Sequence, residues 1–194
     1  MTKTIFAAIA ALCALLFTNS IGLNAQTGIP PVVDANSLKA GFPDFKGITV
    51  AIEIRDEKLS KKLASFFEKH GATKFSFGAG ACRNAPPLVC VIQRQTNEAA
   101  ERISGSNGFQ SYNGVSIGVP VSILAIGVDK KGIPIATTDH GIFAGQKSGY
   151  NGSRTYSKSW AEMKSLKDSV DDLIGSPKYW RPDASAIVAS AAQK

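Results

Sequence analysis

Large apolar residues take alternate positions in Ile48-Thr49-Val50-Ala51-Ile52-Glu53-Ile54, the period of a strand with one buried face. The period then changes. From Glu57 to His70, Leu59, Leu63, Phe66 and Phe67 recur at helical spacing, while Lys61, Lys62, Glu68 and Lys69 fall on the wet side. Asp56 or a neighbour opens this helix and Gly71 stops it. Lys74 to Phe77 is a short strand candidate ending in glycines, and Leu88 to Arg94 is a better one, rich in Val and Ile. Between Gln95 and Asn113 the chain turns polar around Gly105-Ser106-Asn107-Gly108. This predicts a loop with a helical turn near Glu98 to Ile103, where mobility concentrates.

Val115 to Val128 carries the strongest strand signal, but its parity shifts. Val115, Ile117, Val119, Val121 and Ile123 share one face; Leu124, Ile126 and Val128 share the other. Such a shift requires a bulge, a bend or a strand buried on both sides, and Pro120 marks an edge or an irregularity. Asp129-Lys130-Lys131-Gly132 reads as a hairpin turn. Ile133, Ile135 and Thr137 form the return strand, which runs on towards Ala144. Gly145 to Gly152 reads as a second loop. A long helix follows from Ser157 to Ile174, striped by Trp160, Met163, Leu166, Val170, Leu173 and Ile174, and Gly175-Ser176-Pro177 ends it. Ala184, Ile187, Val188 and Ala191 give the last residues a weak helical face.

This order predicts an α+β fold: a single domain with a mostly antiparallel sheet, a long hairpin and two amphipathic helices packed on one face. The expected divisions are a signal peptide over 1–25, an extended arm over 26–47, the α+β domain over 48–176 and a C-terminal tail over 177–194.

The N-terminal boundary rests on a different pattern. A short basic start ends at Lys3, Ile5 to Phe17 is apolar almost without a break, and Leu23-Asn24-Ala25 offers a small-residue exit. These are the parts of a secretory signal peptide, and the apolar run is too short for a membrane-spanning helix, which needs about 20 residues. Cys13, preceded by Leu12, lies inside the apolar run and not after it, so it is read as part of the removed segment rather than as a lipid carrier. The expectation is a periplasmic or secreted chain, soluble after cleavage, with no transmembrane segment in its mature part.

Charge and cysteine content extend this picture. The chain carries a formal net charge of +7, and the leader contributes only Lys3. Such a balance attracts anionic surfaces without choosing among them. No arginine-rich stripe or interleaved aromatic patch marks a nucleic-acid groove, and no nucleic acid is expected as a partner. Cys82 and Cys90, the two cysteines left after export, enclose a short segment containing Pro86-Pro87 and are expected to form a structural disulfide.

Candidate chemistry is sparse. Asp139 and His140 are adjacent, but neighbours on a strand point to opposite faces, and no serine or cysteine is tied to His140 by spacing. His70 suits the C-terminal end of a helix. Two histidines and a bridged cysteine pair make a poor zinc inventory, and Asp168, Asp171 and Asp172 look like the solvated face of one helix; no metal or cofactor is expected. Gly78-Ala79-Gly80 and Gly145-Gln146-Lys147-Ser148 lack the rest of a phosphate-loop pattern and read as turns. Asn151-Gly152-Ser153 fits the glycosylation rule without implying a glycan. The contact candidates are the turn with Lys130 and Lys131, and the aromatic and cationic cluster Tyr179-Trp180-Arg181.

The order of strand, amphipathic helix, central strands, long hairpin and C-terminal helix over Ile48 to Ile174 resembles that of small Gram-negative envelope-assembly proteins. The lipopolysaccharide-assembly lipoprotein and the helper domains of curli-secretion and Tol-system proteins are of this kind. The resemblance is one of layout without a signature motif, so no functional residue is carried over. It implies an exported, non-enzymatic binding or assembly protein of the bacterial cell envelope, whose partner is a protein or an anionic envelope component. Two alternatives stand beside it. One is a small secreted hydrolase or inhibitor using the loops near Asn107 and His140; the other is a self-associating structural surface protein.

Overall fold

A computed structural model describes residues 41–99, 102–127 and 132–193. The expected signal peptide, most of the arm and the turn bearing Lys130 and Lys131 lie outside the described residues.

The first sheet is built from β1 (Thr49–Glu53), β2 (Lys74–Phe77), β3 (Leu88–Gln93), β7 (Val121–Ile126) and β8 (Gly132–Thr138). Its order is β2-β1-β3-β7-β8; β1 runs parallel to both neighbours, and the remaining pairs are antiparallel. The helix α1 (Glu57–Lys69) starts where the Asp56 carboxylate accepts from the Leu59 amide at 2.8 Å, the bond an N-cap supplies. It ends at Gly71, whose φ of +97° favours glycine.

Strand parity sorts the first sheet into two environments. Val50, Ile52, Val89, Val91, Val121, Ile123 and Ile135 share one cluster with Leu63, Phe67, Leu166, Val170 and Leu173 from the helices. Ala51, Leu88, Cys90 and Ile126 form another cluster with Ala81, in the short 3-10 turn Ala81–Arg83. A small residue at position 51 suits a face covered by so close a turn. The Cys82–Cys90 disulfide ties that turn to β3, as expected.

Among the described residues three helices occur where two were expected. Besides α1 and α2 (Lys158–Gly175), the last residues form α3 (Ala184–Ala192). Its Ala184 and Val188 enter the main core cluster, and alanines let the helix approach the sheet closely despite a weak apolar stripe. At the other end of the described chain, Phe45 is fully buried and Phe42 packs against the same core.

The mixed α+β class and largely antiparallel pairing are present, but not in a single sheet. A second sheet has the order β10-β9-β6-β4, with β5 also paired to β6. Its strands are β4 (Asn97–Glu98), β5 (Ile103–Ser106), β6 (Gln110–Gly118), β9 (Ile142–Gly149) and β10 (Gly152–Tyr156), all antiparallel. The long hairpin runs through both sheets: β6 pairs with β9 in the second, and β7 with β8 in the first. The chain passes between sheets at Val119-Pro120 and returns at Asp139–Gly141. The parity shift read from Val115 to Val128 therefore has two causes, this bend and a bulge between Ile123 and Leu124. Pro120 falls between the strands, where its missing amide breaks no ladder.

The crossing is fixed by α2. Ser165 Oγ accepts from the Val119 amide at 2.7 Å, and Ser169 Oγ donates to the Val119 carbonyl at 3.3 Å. Both serines are fully buried. Ala161, nearer the start of α2, packs with Ile117 and Ala144 of the second sheet, whereas Leu166, Val170 and Leu173 pack on the first. One helix thus spans both sheets. The expected loops at Gln95–Asn113 and Gly145–Gly152 are corrected to strands and a hairpin; their ends extend beyond the buried cluster, so no apolar alternation marks them.

Among the described residues, no helix is long and apolar enough to cross a membrane.

Candidate binding site

Of the contact candidates singled out from sequence, Tyr179, Trp180 and Arg181 fall among the described residues, and they serve separate ends. Trp180 is only 6% exposed; its indole donates to the Leu173 carbonyl at 2.7 Å, and its ring meets those of Phe42, Phe45 and Phe66. Arg181 is exposed but held by both oxygens of Asp183, at 2.9 and 2.8 Å. Tyr179 is half-buried, with the Lys178 ammonium 4.7 Å from its ring centre. The Tyr179–Arg181 segment thus closes the core at β8: the Arg181 amide donates to the Ile135 carbonyl at 2.8 Å. Lys130 and Lys131 lie outside the described residues.

His140 finds a carboxylate, but not that of Asp139. Its Nε2 lies 2.9 Å from Asp172 Oδ2 on α2, without the alignment of a hydrogen bond. The Asp139 carboxylate instead lies over Gly118, where a Cβ would collide with it. Hydrogen bonding from Tyr179 holds the Asp172 carboxyl below its ordinary value, with the charges of His140 and Lys178 acting the same way against partial desolvation. Among the described residues no hydroxyl or thiol hydrogen-bonds to His140. The geometry of the His140–Asp172 pair fastens the β8–β9 corner to α2.

A different constellation emerges at the far end of the second sheet. Strand register places Tyr112 opposite Lys147, Lys147 opposite Arg154, Ser116 opposite Phe143 and Tyr156 opposite Gly145. These side chains share one face. The Lys147 ammonium sits 5.0 Å from the Phe143 ring centre and 5.7 Å from that of Tyr156, within the range of cation–π attraction. Glycine makes room for the rings: a Cβ on Gly105 would meet the Tyr112 phenol, and one on Gly114 would strike the Phe143 ring. The aromatics therefore lie flat across the sheet instead of standing off it.

Two hairpin turns project beyond this face. Gln110 pairs with Gly149, so Phe109 and Tyr150 extend side by side from β6 and β9. Phe109 is 83% exposed and Tyr150 fully exposed. Neither turn is loose. Asn107 Oδ1 accepts from the amides of Phe109 and Gln110 at 3.1 and 2.7 Å, and Gly108 takes the positive φ that the turn requires. Across β9 and β10, the Ser148 and Ser153 hydroxyls are 2.6 Å apart. Between the turns lies a cleft of about 360 Å³ lined by Phe109, Lys147, Tyr150, Arg154 and Tyr156 among others.

The charge pattern here is one-sided. Neither Ile103–Gly118 nor Ile142–Tyr156 contains an Asp or Glu, and their only cations are Lys147 and Arg154. Sequence reasoning passed over this site because Phe109, Tyr112, Phe143 and Tyr156 lie in segments without apolar period. The acid-free runs were the available signal. A second hollow, of about 590 Å³, lies where α1 and α2 meet; it is floored by the buried Leu59 and exposes Trp160 and Met163 between lysines and aspartates. Its mixed rim gives no comparable bias of charge. Among the described residues, no group of three metal-capable side chains converges.

No protein-family model matches the chain, and no curated protein matches it. Among solved structures, the chain is similar to one described as a neuraminyllactose-binding hemagglutinin homolog from Helicobacter pylori. The two are 12% identical, the match covers 79% of this chain and 93% of that chain, and the TM-score is 0.40. This is a weak structural resemblance at low identity, and it assigns no ligand to this chain.

Proposed function

We propose that this is an exported, non-enzymatic binding or assembly protein of the bacterial cell envelope, and that it engages an anionic envelope component through the hairpin end of its second sheet. The observation that carries this reading is the acid-free face of Tyr112, Phe143 and Tyr156 with Lys147 and Arg154, tipped by Phe109 and Tyr150. Large exposed aromatics beside cations supply contact area at small entropic cost and attract anionic partners. The first sheet and its helices act as the rigid body from which the hairpins project. Lys130, Lys131 and the exposed side of Tyr179–Arg181 remain auxiliary contact candidates in this reading.

The test is crosslinking of the full-length exported protein in its native envelope, comparing wild type with the double variant Phe109→Ser/Tyr150→Ser. The reading expects a defined crosslinked component whose yield falls at least tenfold in the variant. Equal yields from both proteins would remove the hairpin end from the binding surface.

A further inference from the structure

The hairpin turns are uncharged, although charge follows immediately behind them. Gly105-Ser106-Asn107-Gly108-Phe109-Gln110-Ser111 and Ser148-Gly149-Tyr150-Asn151-Gly152-Ser153 contain no ionisable group other than the Tyr150 phenol. Lys147 lies three residues behind Tyr150 on β9, opposite Arg154 on β10. At a strand rise of about 3.4 Å per residue, the backbone that carries Lys147 sits roughly 10 Å behind the tip, with its ammonium resting near the Phe143 and Tyr156 rings.

That spacing matches a layered surface. Residues that lie in a bilayer interface bury their apolar groups roughly 5–10 Å into the boundary between headgroups and acyl chains, and aromatic rings favour that depth. Basic side chains that much further out meet the headgroup phosphates, which attract them where the lipid is anionic. Small polar residues complete both turns, so immersion of the tips desolvates no full charge. The turns are also braced before contact by the Asn107 side chain and the Ser148–Ser153 pair, so docking does not have to order them first.

We infer that the two hairpin tips dock on an anionic bilayer, with Phe109 and Tyr150 entering the interface and Lys147 and Arg154 holding lipid phosphates. This rests on the hairpin end being the binding surface and names its partner as a lipid headgroup layer. Two aromatics and two cations make such docking weak and reversible, dependent on anionic lipid and weakened by salt.

The full-length exported protein is sedimented with vesicles of equimolar phosphatidylglycerol and phosphatidylcholine, with vesicles of phosphatidylcholine alone, and with the first in the presence of dextran sulfate. The expected result is binding to the anionic vesicles at least tenfold above the neutral ones. Phe109→Ser/Tyr150→Ser should lower it at least tenfold, and Lys147→Gln/Arg154→Gln should remove the preference for anionic lipid. All four side chains are exposed, and unchanged thermal midpoints verify that the variants fold. As an independent readout, Tyr150→Trp should show a blue shift of its difference emission spectrum against wild type on adding anionic vesicles. Absence of anionic-vesicle binding, equal binding by the tip variant, or no spectral shift would each overturn the inference. If vesicles fail while dextran sulfate binds in a tip-dependent way, the partner is a polyanionic saccharide: the lipid inference falls and the hairpin reading stands. If the tip variant also leaves envelope crosslinking unchanged, both fall.

Discussion

Ser165→Ala removes the acceptor of a main-chain amide at the point where the chain passes from one sheet to the other. Val119 is 1% exposed and Ser165 fully buried, so water cannot readily replace the 2.7 Å bond between them. An intramolecular hydrogen bond contributes about 1 kcal/mol net, but a buried donor left without a partner costs about 1–3 kcal/mol. The lost oxygen leaves little space, so a cavity adds little. We expect destabilisation of about 2 kcal/mol, or a fall in thermal midpoint of roughly 4–8 °C for a chain of this size. Ser169→Ala should cost less, about 1 kcal/mol, because its 3.3 Å bond goes to the carbonyl of the same residue. Urea unfolding measures both, with the slope against denaturant unchanged if the variants remain two-state. Hydrogen exchange adds a local check: the amides of β6 and β9 should exchange faster in Ser165→Ala than in wild type at equal global stability. A loss below about 0.5 kcal/mol, within the range of ordinary surface substitutions, would refute the claim that this helix pins the crossing.

Three further outcomes follow from the same structure. Cys82→Ala/Cys90→Ala should lower stability by about 2–3 kcal/mol in urea unfolding, the entropic share of so short a loop, and reductant should bring wild type to a similar value. Trp180→Ala should cost about 3–5 kcal/mol, because the ring fills the core between Phe42, Phe45 and Phe66; a loss below 1 kcal/mol would show the ring to be peripheral. Burial holds the His70 pKa below that of an ordinary histidine, about 6.5, so the folded state resists a proton that the unfolded chain accepts. The associated stability is fully present above pH 6.5 and is lost as pH falls from there towards the folded pKa. His70→Gln should flatten that limb of a stability–pH curve, and an unchanged limb would assign it elsewhere.

Legibility of the fold followed burial. The alternation around Val50 and Ile52 and the stripe of Leu59, Leu63, Phe66 and Phe67 were plain because each element buries one face against the other. The long hairpin was equally visible, but not its bend. Nothing in Val115 to Val128 except Pro120 and the parity shift says that the two halves enter different sheets. Strands β4 and β5 and the outer half of β9 read as loops because little of them is buried, and period two arises from burial rather than from strand geometry itself. The candidate site failed to stand out for the same reason. Tyr112, Phe143, Lys147 and Tyr156 are scattered over 45 positions and converge only through the β6–β9–β10 register. Tyr179-Trp180-Arg181 drew attention because its members are adjacent, yet Trp180 was better suited to filling the core. His140 has its carboxylate 32 residues away on α2, a relation that no local spacing could carry.

The most direct measurement is residue-resolved hydrogen exchange of the full-length protein, alone and bound to its native envelope fraction. The account predicts new protection confined to residues 105–112 and 146–154, the two hairpin turns and the strands beside Lys147 and Arg154. Protection centred on the Leu59–Trp160–Met163 hollow or on Tyr179–Arg181, with the turns unchanged, would contradict it.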